Sequence, residues 1–466
     1  MMKNCSNKKE FCGIVGISNH PEAAQLTYLG LFALQHRGEE SAGIISLHKK
    51  KINQCLDMGL VGDIFTEQKI KALKGSIAIG HVRYSTTGSS SFGNIQPFLV
   101  NHKNSHFAVA HNGNIVNAFS LRNHLEENGA LFQTSMDSEI ILHLLAHSKA
   151  RSLEENITHA LSQLKGSFSL VMLANDVLIG ARDPNGFKPL CLGKLDKSYV
   201  LASETCALDL LRASYVREVE PGEIIIIRNN EITSIKPFPE TQPSYCVFEY
   251  IYFARPDSNI FGKNVYIARK QLGKNLAREH PQNNVDFIMP IPDSGNYAAL
   301  GYAEEANIPF ETGMIRNHYI GRTFIQPSQN VRDFRVRVKL NPIKEVLKNK
   351  RIVVVEDSIV RGTTSKSRVK ALREAGVKEI HMRISSPPLR FPCFYGIDFP
   401  TKKELIANKR TVSEITEYLG LNSLGYLSID GMLDAMPFDK CHFCTACFSG
   451  KYPIKPRKKL SKKILE

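Results

Sequence analysis

The chain has 466 residues, of which 42% are hydrophobic and 23% charged, with a formal net charge of +15. This length predicts two domains, and no apolar run is long enough to span a membrane, so no membrane partner is expected. Its basic runs are not interleaved with aromatic side chains, which argues against nucleic acid as a partner. Ten cysteines without a secretory leader favour a reducing, cytoplasmic location over a disulfide framework.

Cys12 follows a short polar leader, MMKNCSNKKEF, that lacks the apolar core of a signal peptide. If the leader is removed, the Cys12 thiol lies beside a free α-amine that can take its proton. That arrangement is typical of N-terminal-nucleophile hydrolases. On this fragment alone, however, a buried structural cysteine is the favoured interpretation.

Three polar motifs follow in the first half: GHVRYSTTG, AHNGNI and SMDSE. Singly they are weak, since Asn-Gly is a common turn and Asp137 fits a helix N-cap. Together they supply what glutamine hydrolysis needs. The Asn112 side chain and the Gly113 backbone N–H can donate to a tetrahedral oxyanion. Arg83 suits the α-carboxylate of glutamine, and Asp137 suits its α-ammonium.

In this order, CGIVGI, QHRGEES, HVRYSTTG, HNGNI and SMDSE resemble the glutamine amidotransferase domain of the N-terminal-nucleophile class. The resemblance extends from Cys12 to about Phe238 and includes ARDPNGFKPL. It implies an α+β domain with αββα layers and Cys12 as the catalytic nucleophile. Four further residues match the pattern and either bind substrate or only shape the pocket: His36, Arg37, His81 and Thr86. Of these, Thr86 is predicted to bind glutamine.

The second half contains RIVVVEDSIVRGTTS. Its β-branched run predicts a buried strand, and Glu356 and Asp357 follow at the carboxyl end, where open α/β sheets bind ligands. The RGTTS segment then turns into a helix whose first N–H groups and hydroxyls form an anion seat. Paired acids ahead of a phosphate cradle fit a sugar with vicinal hydroxyls and a phosphate. The alternative is a strand that ends in two solvated acids.

This segment resembles the signature loop of type I phosphoribosyltransferases, which bind 5-phosphoribosyl 1-pyrophosphate (PRPP) with Mg²⁺. The resemblance implies an α/β domain with a parallel sheet. It implies these PRPP-binding residues: Glu356, Asp357, Arg361, Gly362, Thr363, Thr364 and Lys339. The family usually has two aspartates here, so Glu356 is a departure.

By the same resemblance, MPIPDSG is the pyrophosphate loop, and Ser294 joins Glu356 and Asp357 around Mg²⁺. The arginine-dense segment from Arg316 to Asn341 predicts a flap that closes on pyrophosphate and excludes water. A solvated loop is the alternative interpretation.

Four cysteines lie in PSYCVF, RFPCFY and HFCTAC: Cys246, Cys393, Cys444 and Cys447. Four thiolates alone do not distinguish zinc from a 4Fe–4S cluster. Their contexts resemble the amidophosphoribosyltransferases that have a leader peptide and a 4Fe–4S cluster, and this resemblance favours the cluster. Cys441 is the rival ligand, ranked lower because FCTAC and GKYP carry the match.

Together the halves resemble the amidophosphoribosyltransferases from about Cys12 to Pro453. The implied organisation is a propeptide (residues 1–11), a glutamine amidotransferase domain (12–240), a phosphoribosyltransferase domain with the iron–sulfur site (241–450) and a basic tail (451–466). The resemblance implies formation of 5-phosphoribosylamine, glutamate and pyrophosphate from PRPP, glutamine and water, which is the first step of purine synthesis. It also implies feedback inhibition by purine nucleotides and a homotetramer.

Two rival functions differ in their second halves. A glutamine-dependent synthase of amino sugars would carry sugar-isomerase domains in place of VVVEDSIVRGTTS. A non-catalytic PRPP-sensing regulator would be expected to carry a DNA-binding module. Neither feature is visible in this sequence.

Overall fold

The computed structural model describes residues 12–49, 51–84, 91–102, 105–148, 150–317, 340–399 and 401–455. The predicted propeptide, Thr86, Lys339 and most of the predicted flap lie outside these ranges, as does the tail beyond residue 455.

The first half is built from antiparallel strands whose side chains are mostly buried. They are β1 (Gly13–Ser18), β2 (Ser41–His48), β3 (Lys51–Met58), β4 (Ile77–Arg83), β5 (Phe98–His102), β6 (Ser105–Ile115), β7 (Gly166–Ala174), β8 (Val177–Arg182), β9 (Cys191–Leu195), β10 (Ser198–Ala202), β11 (Ser214–Glu218), β12 (Ile224–Arg228) and β13 (Glu231–Ile235).

These strands form two sheets that pack face to face. The first has the order β11-β9-β10-β1-β4-β2-β3, and the second has the order β13-β12-β8-β7-β6-β5. Ile14 and Ile79 from the first sheet meet Ala110 and Val171 from the second in one buried cluster. The nucleophile candidate, at the start of β1, and the Asn-Gly motif, in β6, therefore belong to facing sheets.

Helices cover the outer face of each sheet. They are α1 (Ala23–Ala33), α2 (Val61–Ile64), α3 (Glu67–Ala72), α4 (Ala118–Glu127), α5 (Glu139–His147), α6 (Leu153–Ser162) and α7 (Thr205–Leu211), with short 3-10 turns at Gln35–Arg37 and Phe92–Asn94. Helices α1 and α7 pack on the first sheet, while α5 and α6 pack on the second. The predicted αββα layers are confirmed.

The second half contains short strand pairs and a parallel sheet. Its strands are β14 (Tyr245–Cys246), β15 (Asn259–Ile260), β16 (Lys263–Asn264), β17 (Phe287–Pro290), β18 (Met314–Arg316), β19 (Leu340–Pro342), β20 (Arg351–Glu356), β21 (Glu379–Ile384), β22 (Ser423–Tyr426) and β23 (Phe443–Cys444). Its helices are α8 (Val265–Glu279), α9 (Asn296–Ala306), α10 (Lys344–Leu347), α11 (Thr363–Glu374), α12 (Ile406–Lys409), α13 (Val412–Leu419), α14 (Ile429–Leu433) and α15 (Ala446–Ser449). A π-helical turn spans Glu249–Phe253, and 3-10 turns span Lys402–Glu404 and Lys440–His442.

The parallel sheet has the order β17-β20-β21-β22. Helices α8 and α9 cover one face, and α11 and α13 cover the other. Because both faces are buried, β20 is an unbroken apolar run rather than an alternating one. The α/β domain predicted from this run is confirmed.

The end of the described chain returns to the junction of the two halves. Strand β23 pairs in parallel with β14, which places Cys444 opposite Cys246. Cys246 N–H donates to the Phe187 carbonyl of the first half at 3.0 Å, and the Tyr395 ring stacks on Phe187 at 4.2 Å. None of the described helices is long and apolar enough to span a membrane.

Candidate active sites

Cys12 lies immediately before β1 and is only 8% exposed. Its thiol donates to the Tyr84 carbonyl at 3.7 Å. Burial raises the pKa of this thiol to about 11, although the Tyr84 contact and the Arg83 charge act in the opposite direction. A thiol with this pKa is a weak nucleophile at neutral pH, so Cys12 needs a base close by.

Arg83 ends β4 and is fully buried. Its guanidinium donates to the Glu40 carboxylate at 2.8 Å and contacts the Met136 sulfur at 3.5 Å. Arg83 is thereby oriented beside the SMDSE motif, as a carboxylate receptor would require. Glu40 lies in the QHRGEES motif, but nothing in the local sequence relates it to Arg83.

Asn112 lies in β6 with its side chain wholly buried. Within the described part of the chain, neither polar atom of its amide has a hydrogen-bond partner. At the next position, φ of Gly113 is +156°, and a Cβ there would lie 2.1 Å from the Ser167 carbonyl oxygen. Only glycine fits. An unpartnered amide donor beside this glycine suits an oxyanion that arrives with the substrate.

Asp137 is held against the end of β6. Its carboxylate accepts from Ile115 N–H at 2.8 Å and from the Ser138 hydroxyl at 3.3 Å. The N-cap of α5 is Ser138, so the alternative interpretation of Asp137 as that cap is wrong. His81 Nε2 donates to the His111 carbonyl at 3.1 Å, and burial lowers the pKa of His81 to about 3. A neutral, buried His81 is consistent with shaping the pocket.

Arg37 is a second buried cation at this site. Its Nε donates to the carbonyl oxygen of Cys12 at 3.0 Å. Its other nitrogens reach Glu204 in the first half and Glu249 in the second. The sequence shows Arg37 in a matching motif but does not reveal these partners, which are 167 and 212 residues away.

In the second half, Asp357 follows β20 and is buried. Its carboxylate accepts from the Ser294 hydroxyl at 2.6 Å and also from the Ser358 hydroxyl. The pyrophosphate loop and the paired-acid loop, predicted from separate motifs, are therefore in direct contact.

Glu356 is placed differently from its neighbour. Its carboxylate forms an ion pair with Arg368 on α11 and accepts from the Ser365 hydroxyl at 3.2 Å. Both contacts are to the helix that follows the loop. The two acids, predicted together as ligands of PRPP and Mg²⁺, have different surroundings.

The predicted phosphate cradle lies at the start of α11. Gly362 is its N-cap residue, with φ of +77°, and a Cβ there would come 2.7 Å from the Ile406 side chain. Thr363 is exposed and Thr364 half-buried in the first turn of α11, and the positive end of a helix dipole attracts anions. Arg361 pairs with Glu404 at 3.0 Å.

The pyrophosphate loop opens onto a cavity of about 400 Å³. Pro292, Asp293 and Asn296 line one side, and Met314 and Arg316 line the other. Asp293 and Arg316 form an ion pair across it. The cavity thus lies between the predicted loop and the start of the predicted flap.

The four predicted cluster cysteines come from three segments that meet near the junction. Cys246 and Cys444 lie opposite each other in strands β14 and β23. Burial, and then the neighbouring thiols of Cys393, Cys444 and Cys246, raise the pKa of Cys447 well above its usual range. The donor chemistry suits a four-thiolate site. Among the described residues, however, no three His, Cys, Asp or Glu side chains form a group that could hold a metal ion.

The segment after Cys393 packs directly on the oxyanion motif of the first half. The Asn114 amide donates to the Phe394 carbonyl at 3.0 Å. A Cβ at Gly396 would lie 3.1 Å from the carbonyl carbon of Gly113. The candidate cluster segment and the candidate glutaminase site are therefore in contact.

Comparisons with known proteins agree with this two-site arrangement. Residues 81–210 match a glutamine amidotransferase domain, and residues 262–385 match a phosphoribosyl transferase domain. The chain is 50% identical to amidophosphoribosyltransferase 1, chloroplastic, of Arabidopsis thaliana over 96% of this chain and 79% of that relative. It is 47% identical to the amidophosphoribosyltransferase of Bacillus subtilis over 97% of this chain and 96% of that relative. The chain belongs to the amidophosphoribosyltransferases.

Solved structures extend this similarity to the whole fold. One, described as the allosteric regulatory enzyme of purine biosynthesis, superposes with a TM-score of 0.93 at 46% identity and covers 97% of this chain and 98% of its own. Another, the B. subtilis glutamine PRPP amidotransferase complexed with ADP and GMP, has a TM-score of 0.92 at 46% identity and covers 98% of this chain and 100% of its own. An amidophosphoribosyltransferase accounts for both halves, so neither the amino-sugar synthase nor the PRPP-sensing regulator is supported.

Proposed function

We propose that this amidophosphoribosyltransferase releases ammonia from glutamine at Cys12 and transfers it to C1 of PRPP in the second half. The products are 5-phosphoribosylamine, glutamate and pyrophosphate, as in the first step of purine synthesis. The observation that carries the proposal is the buried Asn112 amide, unpartnered in the described part of the chain. Such a group is retained in a core when a ligand satisfies it.

The glutaminase step requires Cys12 to be liberated from residues 1–11. The new α-amine then takes the thiol proton and offsets the pKa increase caused by burial. The thiolate attacks the amide carbon of glutamine, and the Asn112 amide and Gly113 N–H stabilise the oxyanion. This intermediate collapses to a Cys12 thioester as the C–N bond breaks, and the leaving ammonia takes the proton held by the α-amine. Water then hydrolyses the thioester, which releases glutamate and restores the thiol. Arg83 binds the α-carboxylate; Asp137 and Thr86 complete the glutamine site.

In the second half, Asp357 binds the ribose hydroxyls and Ser294 holds its carboxylate in place. Gly362, Thr363 and Thr364 cradle the 5-phosphate at the start of α11. Arg361 and Lys339 contribute positive charge toward PRPP. Glu356 stays in the proposed ligand set for PRPP and Mg²⁺, but in a secondary place, because its carboxylate already pairs with Arg368 and Ser365 and supports the loop.

Mg²⁺ fits this site because hydroxyl and carboxylate oxygens, here from Ser294 and Asp357, are its preferred protein ligands. When bound, it would neutralise charge on the pyrophosphate leaving group. Ammonia released into water would be protonated and lost, so we also propose an enclosed passage between the sites. Glutaminase turnover uncoupled from phosphoribosylamine formation would contradict that passage.

Cys246, Cys393, Cys444 and Cys447 are proposed to hold a 4Fe–4S cluster with a structural role. When bound, it would tie three segments together at the junction. We further propose a cytoplasmic homotetramer inhibited by purine nucleotides; the B. subtilis structure complexed with ADP and GMP supports the nucleotide part. We also propose that the chain divides into a propeptide (1–11), a glutamine amidotransferase domain (12–240), a phosphoribosyltransferase domain (241–450) and a tail (451–466).

The test compares wild type with Cys12→Ala using glutamine or ammonia as the nitrogen donor. We expect the variant to lose glutamine-dependent phosphoribosylamine formation and to keep the ammonia-dependent reaction, because transfer of free ammonia to PRPP does not use the Cys12 thiol. Undiminished use of glutamine would refute the role of Cys12. Intact mass, N-terminal sequencing and the visible absorption spectrum of the purified protein test the propeptide and the cluster.

A further inference from the structure

A buried group of charged side chains connects Cys12 to the second half. The side chains of Arg37, Lys188 and Glu204 in the first half and Glu249 in the second have no exposed surface. Arg37 lies at the centre. Its Nε donates to the Cys12 carbonyl at 3.0 Å. Its two terminal nitrogens donate to the two carboxylate oxygens of Glu249, each at 3.0 Å.

The other charges in this group are also paired. Lys188 donates to Glu249 at 3.3 Å. Glu204 accepts from His36 at 2.8 Å and from the Ser258 hydroxyl at 2.7 Å, in addition to Arg37. Two buried cations thus face two buried carboxylates. Breaking such a pair leaves an uncompensated charge, so the geometry of each member depends on the others.

The Arg37 contact matters because of where Cys12 lies in the chain. After removal of residues 1–11, no preceding peptide would hold this residue, and chain ends are poorly ordered unless tied down. The hydrogen bond from Arg37 holds the backbone carbonyl of Cys12 itself, whereas strand β1 begins one residue later, at Gly13. Arginine is long and flexible, but a bidentate bond to a carboxylate sets the plane of its guanidinium.

We propose that Glu249 is a positioning residue for glutamine hydrolysis: from the second half, it orients Arg37, which anchors the carbonyl of the nucleophile. The inference rests on the proposed role of Cys12. It makes glutaminase activity depend on correct docking of the second half, since Glu249 begins the π-helical turn of that half.

The experiment uses full-length, processed enzyme with Glu249→Gln and with the double change Glu249→Gln/Lys188→Met. The double variant removes one charge of each sign, so it keeps the buried charge balanced and guards against simple misfolding. We expect kcat for glutamine hydrolysis to fall about tenfold in both, since small misplacements of a reacting group cost this much or more. KM for glutamine and ammonia-dependent phosphoribosylamine formation should change by less than about twofold.

Glu218→Gln is the matched control. Glu218 is also a largely buried carboxylate at the junction: it pairs with Arg182 of the first half at 3.4 Å and accepts from the Phe261 N–H of the second half at 2.9 Å. The Glu218→Gln substitution should lower the melting temperature without a selective effect on glutamine hydrolysis. Equal losses of the glutamine and ammonia reactions in the Glu249 variants, or unchanged glutamine hydrolysis, would overturn the inference. If Cys12→Ala itself leaves glutamine use intact, the proposed function fails instead.

Discussion

Replacing Asn112 by leucine should stabilise the protein while it abolishes most glutaminase activity. The amide is buried, and within the described residues both of its polar atoms are unpartnered. Each such atom costs about 1–3 kcal/mol of folding free energy. Leucine has a similar volume and no polar atoms, so it removes that cost.

The expected magnitude follows from these terms. Removing two unpartnered polar atoms should stabilise the fold by at least about 2 kcal/mol, and imperfect packing of the leucine should offset up to about 1.5 kcal/mol of that stabilisation. We therefore expect the free energy of unfolding to rise by about 0.5–2 kcal/mol, or a few degrees in melting temperature for a domain of this size. Loss of an oxyanion donor should lower kcat for glutamine hydrolysis by about 100- to 1,000-fold.

Denaturant unfolding and glutaminase kinetics on the same preparations provide the assay. Asn94→Leu is the control, because Asn94 is equally buried but bonded to Ser135 through both amide atoms, at 3.1 and 3.3 Å. Asn94→Leu should destabilise the fold. If Asn112→Leu destabilises it to the same degree, the Asn112 amide is already satisfied in the free protein, and the reasoning is refuted.

Three further outcomes are expected. In the unprocessed chain, the rate of Cys12 alkylation, followed by peptide mass spectrometry, should rise about tenfold per pH unit from pH 7 to 10, because burial raises the pKa of the thiol to about 11. A plateau of this rate below pH 9 would contradict the prediction. Asp357→Asn should lower kcat/KM for PRPP by about 10- to 100-fold, whereas Glu356→Gln should mainly lower the melting temperature; similar kinetic losses in both would contradict the separate roles. Cys444→Ser/Cys447→Ser should lose visible absorption and melt several degrees lower; an unchanged melting temperature would argue against a structural cluster.

Local patterns were sufficient for much of the fold. The run IVVV before Glu356 predicts a strand buried on both faces, and β20 has that position. The glycine of the RGTTS motif predicts a turn into a helix, and Gly362 is the left-handed N-cap of α11. These features are decided by steric and hydrophobic preferences of neighbouring residues, which the sequence displays directly.

The hydrogen-bond and ion-pair partners of individual side chains were harder to predict from the sequence. The helix-cap interpretation of Asp137 was wrong because its carboxylate bonds to Ile115, at the end of a strand from a different motif. Glu356 and Asp357 are predicted together as ligands from the signature loop, and this stays a prediction, but the sequence did not reveal that Glu356 pairs with Arg368. Adjacent residues at a strand end point in different directions, and the packing of the next helix decides which partner each one meets.

The sequence by itself therefore determined the two chemistries of this amidophosphoribosyltransferase: an amidase motif set behind Cys12 and a sugar-phosphate loop after β20. The tertiary structure alone decided how the halves meet, through Arg37 and Glu249 and through the segment at Phe394. Such contacts join residues more than 200 positions apart, and no periodicity or spacing along a chain encodes which distant charges will be buried together.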